Sequence, residues 1–528
     1  MPPKILPAAL LFAAALPSQL YPPNVPPENP LTPAKVTLGK ILFWDEQLSS
    51  DDTTACGTCH QPEWGGTDPR SADALHPGPD GLFATADDIR GSFGIHRQRQ
   101  NGDFTADATF GFRRQATRRL APSPMGAAYH AELFWDLRAS WRFVDPETGA
   151  VAVLFDAALE NQALGPILNP VEMGHEGRTW ADVRQKLQQA TPLRLAVALP
   201  SDLQAALQQA PTYPLLFAQA FGSPEITAQR IAFALASYQR TLIPDQTPWD
   251  AFAGGDPGAL TPDELHGWQV FQAQGRCIAC HWEPLFSDDL WHVLGLRKAS
   301  EDLGVGARTN FAEDRGAFKT PTLRNAGLRP RLFHNGQSPA LGDPAQWTDP
   351  ASALNVYLQG HGADTVNLDP FLLPLAQVGV TAAEVHTTLE FVRTALTDPR
   401  AANGLPPFDH PTLRSTVAPP RRFGAALAGA IEPFLIDAVP AFPGNADWRL
   451  GLVAGSGTTL GLLAIGHDSF EPGLSLFGLP VNVHLDGGRL FFLPGFGGQQ
   501  GHRPWHLPIP ASMPPQDVHL QLFSVVWH

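Results

Sequence analysis

Cys56-Gly57-Thr58-Cys59-His60 and Cys277-Ile278-Ala279-Cys280-His281 decide how this 528-residue chain is read. Both are C-x-x-C-H, the pattern of covalent haem c attachment. At this spacing two thiols reach the two vinyl groups of one porphyrin, and the next residue brings its imidazole under the iron as proximal ligand. The competing reading is a pair of zinc or redox C-x-x-C sites followed by accidental histidines. Histidine fills only 18 of 528 positions, so its falling after both pairs by accident is a roughly one-in-a-thousand event. The two motifs consume all four cysteines, leaving none for a disulfide. The cofactor residues expected are Cys56, Cys59, Cys277 and Cys280 for attachment, with His60 and His281 as iron ligands.

Outward from these motifs, attachment points 221 residues apart (Cys56 to Cys277) imply two haem units, each wrapping helices around its cofactor. A helix is expected from Ser223 to Thr241, stopping before Pro244. Another is expected from Thr381 to Leu396, where Thr381 and Glu384 form a capping box and Val385, Leu389, Val392 and Leu396 repeat at helical spacing. At the N-terminus, Lys4 precedes an apolar run from Ile5 to Leu16 and then proline-rich sequence. That is the pattern of a secretory signal whose apolar part is too short to span a bilayer. No later segment is apolar and long enough to cross a membrane, so a periplasmic or otherwise exported protein is expected. The net charge of −15 disfavours a nucleic-acid partner and favours a protein with a basic face. Past Pro411 the texture changes. Short alternating runs appear at Trp448 to Val453 and Val518 to Val526, and Asp486-Gly487-Gly488 between two more reads as a hairpin turn. The fold class expected is multidomain: two mainly α-helical cytochrome c-type haem domains plus a C-terminal all-β, sandwich-like domain. The expected boundaries are 1–20 signal peptide, 21–245 first haem domain, 246–412 second haem domain and 413–528 β accessory domain.

Seven further motifs stand in order around the haem sites: Leu38 to Asp45 (LGKILFWD), Phe134 to Ala139 (FWDLRA), Gln162 to Pro166 (QALGP), Asn169 to Met173 (NPVEM), Phe318 to Asn325 (FKTPTLRN), Phe333 to Gly336 (FHNG) and Ala395 to Pro399 (ALTDP). On these, residues 34 to 410 resemble the bacterial di-haem cytochrome c peroxidase family, which includes a MauG-like branch. The resemblance implies that the haem on His60 reacts with peroxide, while the haem on His281 takes electrons from a donor. It places Trp135 between the haems as a stepping stone for electrons or holes. Gln162 and Glu172 match the family's distal pair, with Pro166 lining the same pocket. The chemistry asks for a group that takes a proton from one peroxide oxygen and delivers it to the other. A carboxylate in a confined apolar pocket suits that role, because burial raises its pKa. Glu172 is the expected acid/base and Gln162 its orienting partner.

The second axial ligand sets the branch. Many family members use a methionine on the C-terminal haem, but Met1, Met125, Met173 and Met513 are the only methionines here, and none falls in that region. The matching helix reads Ala353-Leu-Asn-Val-Tyr357, which makes Tyr357 the expected ligand, as in the MauG-like branch. On the N-terminal haem an open position is expected, with His76 and His96 the loop histidines available to close it. His334 matches a family histidine with a structural or propionate-directed role. Calcium is a further cofactor candidate. The family's interdomain calcium positions correspond to Leu120, Arg329 and Arg331, where two guanidinium groups oppose a dication and an arginine is expected to supply the positive charge instead. A second calcium candidate is the acidic loop carrying Asp80, Asp87 and Asp88.

Three functions follow. The first is a peroxidase reducing hydrogen peroxide with electrons from a soluble donor, a small c-type cytochrome or copper protein. The second is MauG-like, peroxide-dependent oxidation of a partner protein. The third is a two-haem electron carrier without catalysis, against which the Glu172 and Gln162 pair speaks.

Overall fold

A computed structural model describes residues 20–341 and 349–417, together with the strand segments between 434 and 526. The expected signal segment and the Asp486-Gly487-Gly488 turn lie outside the described residues. Helices are the main regular structure of the described residues up to 417, with small two-stranded antiparallel ribbons between them.

The first core grows from the helix Pro33–Trp44. Thr32 caps it by accepting the Lys35 N–H, and Pro33 sits in the first turn, where its missing N–H costs nothing. Leu38, Ile41 and Leu42 are fully buried against the helix Ala228–Gln239. The two backbones approach so closely at Gly39 that a Cβ there would lie 1.9 Å from the Ala234 carbonyl oxygen. The expected helix from Ser223 starts later. Ser223 precedes Pro224, which disfavours helical backbone, and Thr227 accepts the Arg230 N–H to start the first turn at Ala228.

The second core is aromatic. Trp249, Trp268, Phe271, Phe286 and Phe391 pack mutually, with ring centroids 4.3 Å apart for Trp249 and Trp268. Each buried side chain of this size stabilises by roughly 1.5–3 kcal/mol. The helices Pro262–Gln272 and Ala382–Glu390 carry it, both started by capping boxes, Thr261 with Glu264 and Thr381 with Glu384. The second helix continues to Ala395 as a π-helical turn. Below the aromatic cluster, Arg324 bonds Asp250 through two nitrogens at 2.7 and 2.8 Å.

Residues 399–412, counted with the second haem domain from sequence, and Leu413, counted with the accessory domain, add side chains to the first core. Ala401, Phe408 and Leu413 are buried there, and His410 stacks flat on Trp44 at 4.0 Å. Farther on, the strand Arg449–Val453 pairs with Phe434–Asp437 and Trp505–His506, while Thr459–Gly466 lies between Arg489–Gly495 and His519–Val526. The runs flanking the Asp486-Gly487-Gly488 turn overlap the strands Leu479–Val483 and Arg489–Gly495, which take different partners among the described residues. The first pairs with Ser469–Leu476 and the second with Thr459–Gly466, because a turn signal biases the local chain but does not choose strand partners.

Candidate functional site

The first C-x-x-C-H begins on the short helix Cys56–Cys59. Gly57 rests against the Trp44 ring, and a Cβ there would come within 2.2 Å of it, so this position of the motif admits no side chain. After His60 the chain turns through Gly65 and Gly66, both with positive φ, and the Gly66 carbonyl returns to accept from His60 Nδ1 at 3.1 Å. Because a carbonyl only accepts, Nδ1 carries the proton and Nε2 keeps its lone pair. The second site repeats the device. His281 follows the turn Cys277–Ala279, and its Nδ1 donates to the Phe286 carbonyl at 2.9 Å. A backbone carbonyl that fixes the tautomer and ring plane is what an imidazole ligand needs. None of the four cysteines is in a disulfide, and burial pushes the Cys56 and Cys277 thiols up to about 12. They are thiols rather than reactive thiolates. Both sites therefore fit a thioether-linked porphyrin with an axial histidine.

Tyr357 stands on the helix Ala353–Gln359, capped by Ser352, and packs in the second core with Cys277 and Phe333. Its hydroxyl makes no hydrogen bond among the described residues. Burial first, and then Cys277 and Cys280, hold its phenol well above the ordinary range, so only a strong cation would draw off the proton. The sequence-predicted ligand thus lies beside the second attachment segment.

Around the first site, Gln162 and Pro166 sit one turn apart on the helix Ala158–Leu168, hence on one face. Glu172 follows on a turn held from outside. Ile95 N–H bonds the Val171 carbonyl at 3.1 Å, Gln115 Nε2 bonds the Pro170 carbonyl at 2.7 Å, and Gly94 lies flat beneath Val171 and Glu172. Asn169 Nδ2 donates to Glu172 Oε1 at 3.2 Å. Burial raises the Glu172 pKa, with Arg138 only partly opposing it, and Glu172 in turn acts electrostatically on Cys56 and Cys59. The expected acid/base is therefore a half-buried, desolvated carboxyl close to the first attachment segment. The clamps from Ile95 and Gln115 carried no signal in the sequence, because both are long-range.

Trp135 is buried between the two halves. Its Nε1 donates to the Leu120 carbonyl at 2.7 Å, its own carbonyl accepts from Lys319 N–H at 2.9 Å, and its ring meets His334 edge-on at 6.2 Å. His334 stacks on Phe318 at 3.5 Å, is pushed down to about 3 by burial, and its buried Nε2 has no partner among the described residues. His76 Nδ1 bonds the Pro77 carbonyl beside Phe110. His96 Nδ1 bonds the Phe112 carbonyl, and burial with Arg114 lowers its pKa to about 3.

At the positions that correspond to calcium ligands, the Leu120 carbonyl is taken by the Trp135 indole, and Arg331 bonds the Gly336 and Gln337 carbonyls. In the acidic loop, Asp80, Asp87 and Asp88 spend oxygens on the loop's own N–H and hydroxyl groups. Sequence reading missed His292, which lies between Asp288 (2.8 Å) and Asp369 (2.5 Å). Burial opposes its charge, but Asp288, Cys280 and Asp369 raise its pKa to about 11. Asp369 lies 77 residues from His292, so spacing could not have revealed the pair.

Two histidine-bearing thiol pairs in separate helical cores define a di-haem c-type protein. The model of the di-haem cytochrome c peroxidase family matches residues 33–258. The methylamine utilization protein MauG of Methylorubrum extorquens is 32% identical over 319 residues, covering 60% of this chain and 69% of that protein. MauG of Methylophilus methylotrophus is 31% identical, over 59% of this chain and 71% of its own length. The cytochrome c551 peroxidase of Nitrosomonas europaea is 28% identical, with 58% and 69% covered. A MauG-like protein associated with microbial copper homeostasis shares the fold with a TM-score of 0.50 at 21% identity, covering 74% of this chain and 97% of that one. The chain belongs to the di-haem cytochrome c peroxidase and MauG family, an oxidoreductase family of two c-type haems. No helix among the described residues is long and apolar enough to cross a membrane.

Proposed function

We propose that the protein is an exported di-haem peroxidase that reduces hydrogen peroxide at the site of Cys56, Cys59 and His60, with Tyr357 ligating the second haem as in the MauG-like branch. The overall change takes hydrogen peroxide, two electrons and two protons to two waters. The haems supply the redox chemistry when bound. The observation that carries the reading is Glu172, a half-buried carboxyl whose desolvation raises its pKa, beside the first attachment segment. Its Oε atoms take the proton from the near peroxide oxygen and return it to the far one, which becomes water. Asn169 steadies Oε1, while Gln162 and Pro166 close the pocket and keep water out. An electron carrier without catalysis has no use for such a group.

Electrons reach this site through Trp135, which bonds to Leu120 on one side and Lys319 on the other. Their source is a soluble donor protein, drawn to the acidic surface. The second reading, oxidation of a partner protein, is favoured by Tyr357, since an anionic oxygen ligand stabilises oxidised iron where a thioether does not.

The test is an optical and EPR titration of the as-isolated diferric protein with one equivalent of peroxide. Loss of the resting spectrum of both haems without prior reductant supports the Tyr357-ligated reading. No reaction until one haem is reduced means that a histidine, His76 or His96, closes the first iron.

A further inference from the structure

Arg329 is a buried arginine without a partner among the described residues. It is 5% exposed, its Nε is sealed from solvent without a hydrogen bond, and its guanidinium makes no ion pair or hydrogen bond among the described residues. Other arginines of the interior are matched. Arg324 bonds Asp250, Arg240 bonds Glu160, and Arg119 bonds Asp302 and Asp136. Neighbouring Arg331 is satisfied by two carbonyls. Burial alone acts on Arg329, lowering its pKa to about 10, so it stays charged at neutral pH. A buried, unpaired charge is too costly to persist without a counter-ion.

Position says which anion. The Arg329 stem lies on Gly65, where a Cβ would come within 2.5 Å of Arg329 Cγ. Gly65 begins the turn whose next carbonyl, Gly66, orients His60. The Arg329 side-chain stem therefore packs, from the second half of the chain, on the proximal loop of the first haem site. A haem c brings two propionate carboxylates, and a planar guanidinium fork matches a carboxylate.

We propose that Arg329 holds a propionate carboxylate of the haem attached at Cys56 and Cys59, so that the second haem unit supplies the positive charge at the seam. Arg329 is then a positioning residue, and the inference rests on the haem reading above. It ties seating of the first haem to docking of the second unit.

The test uses the haem-loaded full chain carrying Arg329→Gln, Arg329→Met or Arg329→Lys. Haem content is measured by pyridine haemochrome absorbance, the midpoint of the peroxide-reactive haem by spectroelectrochemistry, and heat stability by calorimetry. The expected result is a lower midpoint in Arg329→Gln, because removing a positive charge stabilises the ferric form, and a lower Tm in both neutral variants. Arg329→Lys is expected to keep most of the wild-type midpoint. An unchanged midpoint in Arg329→Gln, with Arg329→Met as heat-stable as wild type or more so, overturns the proposal. So does a wild-type midpoint that moves when chloride is exchanged for sulfate, because a free ion then fills the place. If the neutral variants do not load haem, Arg329→Lys decides: a wild-type midpoint supports the clamp, and a lowered one overturns it. A wild-type chain without haem c fails at the first measurement and sinks the haem reading itself.

Discussion

Replacing Glu172 by glutamine separates chemistry from structure. The turn that presents Glu172 is held by other groups: Asn169 Oδ1 accepts Val171 N–H at 2.8 Å, Gln115 bonds the Pro170 carbonyl, and Ile95 bonds the Val171 carbonyl. Among the described residues the side chain itself takes one hydrogen bond, from Asn169 Nδ2 at 3.2 Å, which an amide oxygen also accepts. The substitution is therefore expected to change stability by less than about 1 kcal/mol. The lost proton transfer is expected to slow the reaction by about 10²–10⁴-fold, equivalent to about 2.7–5.4 kcal/mol of barrier. Stopped-flow mixing with peroxide measures the second-order constant, and haem content and Tm report the structure. The pH profile adds a second readout. Since burial raises the Glu172 pKa, the carboxylate that accepts the proton forms only above the ordinary carboxylate range, and the wild-type rate is expected to rise with pH through that value. The linked stability runs the other way: the folded protein favours protonated Glu172, so this contribution is present at low pH and is lost as pH rises through the folded pKa. Glutamine abolishes both dependences. A variant reacting within about threefold of wild type, or keeping the rising limb, refutes the assignment of Glu172 as acid/base.

If Tyr357 ligates the second haem as proposed, Tyr357→Met replaces its phenolate by a thioether and is expected to raise the midpoint of that haem and to make the diferric protein unreactive until one haem is reduced; spectroelectrochemistry and the one-equivalent peroxide titration check both. Trp135→Phe strips the buried Leu120 carbonyl of its donor, which costs about 1–3 kcal/mol in chemical denaturation, and it is expected to slow electron transfer between the haems while leaving the first reaction with peroxide intact. Asp250→Ala leaves the Arg324 guanidinium, itself fully buried, without its bidentate partner, and a loss of about 3–5 kcal/mol is expected in thermal or denaturant unfolding.

What the sequence determined by itself is what short spacing controls. Covalent attachment needs two thiols and an imidazole within five residues, so Cys56 to His60 and Cys277 to His281 could be read without a fold. The capping box of Thr381 and Glu384 is equally local and appears as expected. The family motifs named Glu172, Gln162, Trp135 and Tyr357, but not what surrounds them. Only the tertiary structure decided that Glu172 is desolvated and that its turn is held by Ile95 and Gln115. It also decided that Ala401, Phe408 and Leu413 return to the first core, that the strands 479–483 and 489–495 take different partners, and that Arg329 has no carboxylate partner among the described residues. The reason is physical. Desolvation and charge pairing depend on which residues meet across long stretches of chain, such as Arg324 and Asp250, 74 positions apart, or His410 and Glu63, 347 apart. Periodicity and spacing report the local backbone, whereas these partners are fixed only when distant stretches of chain fold together.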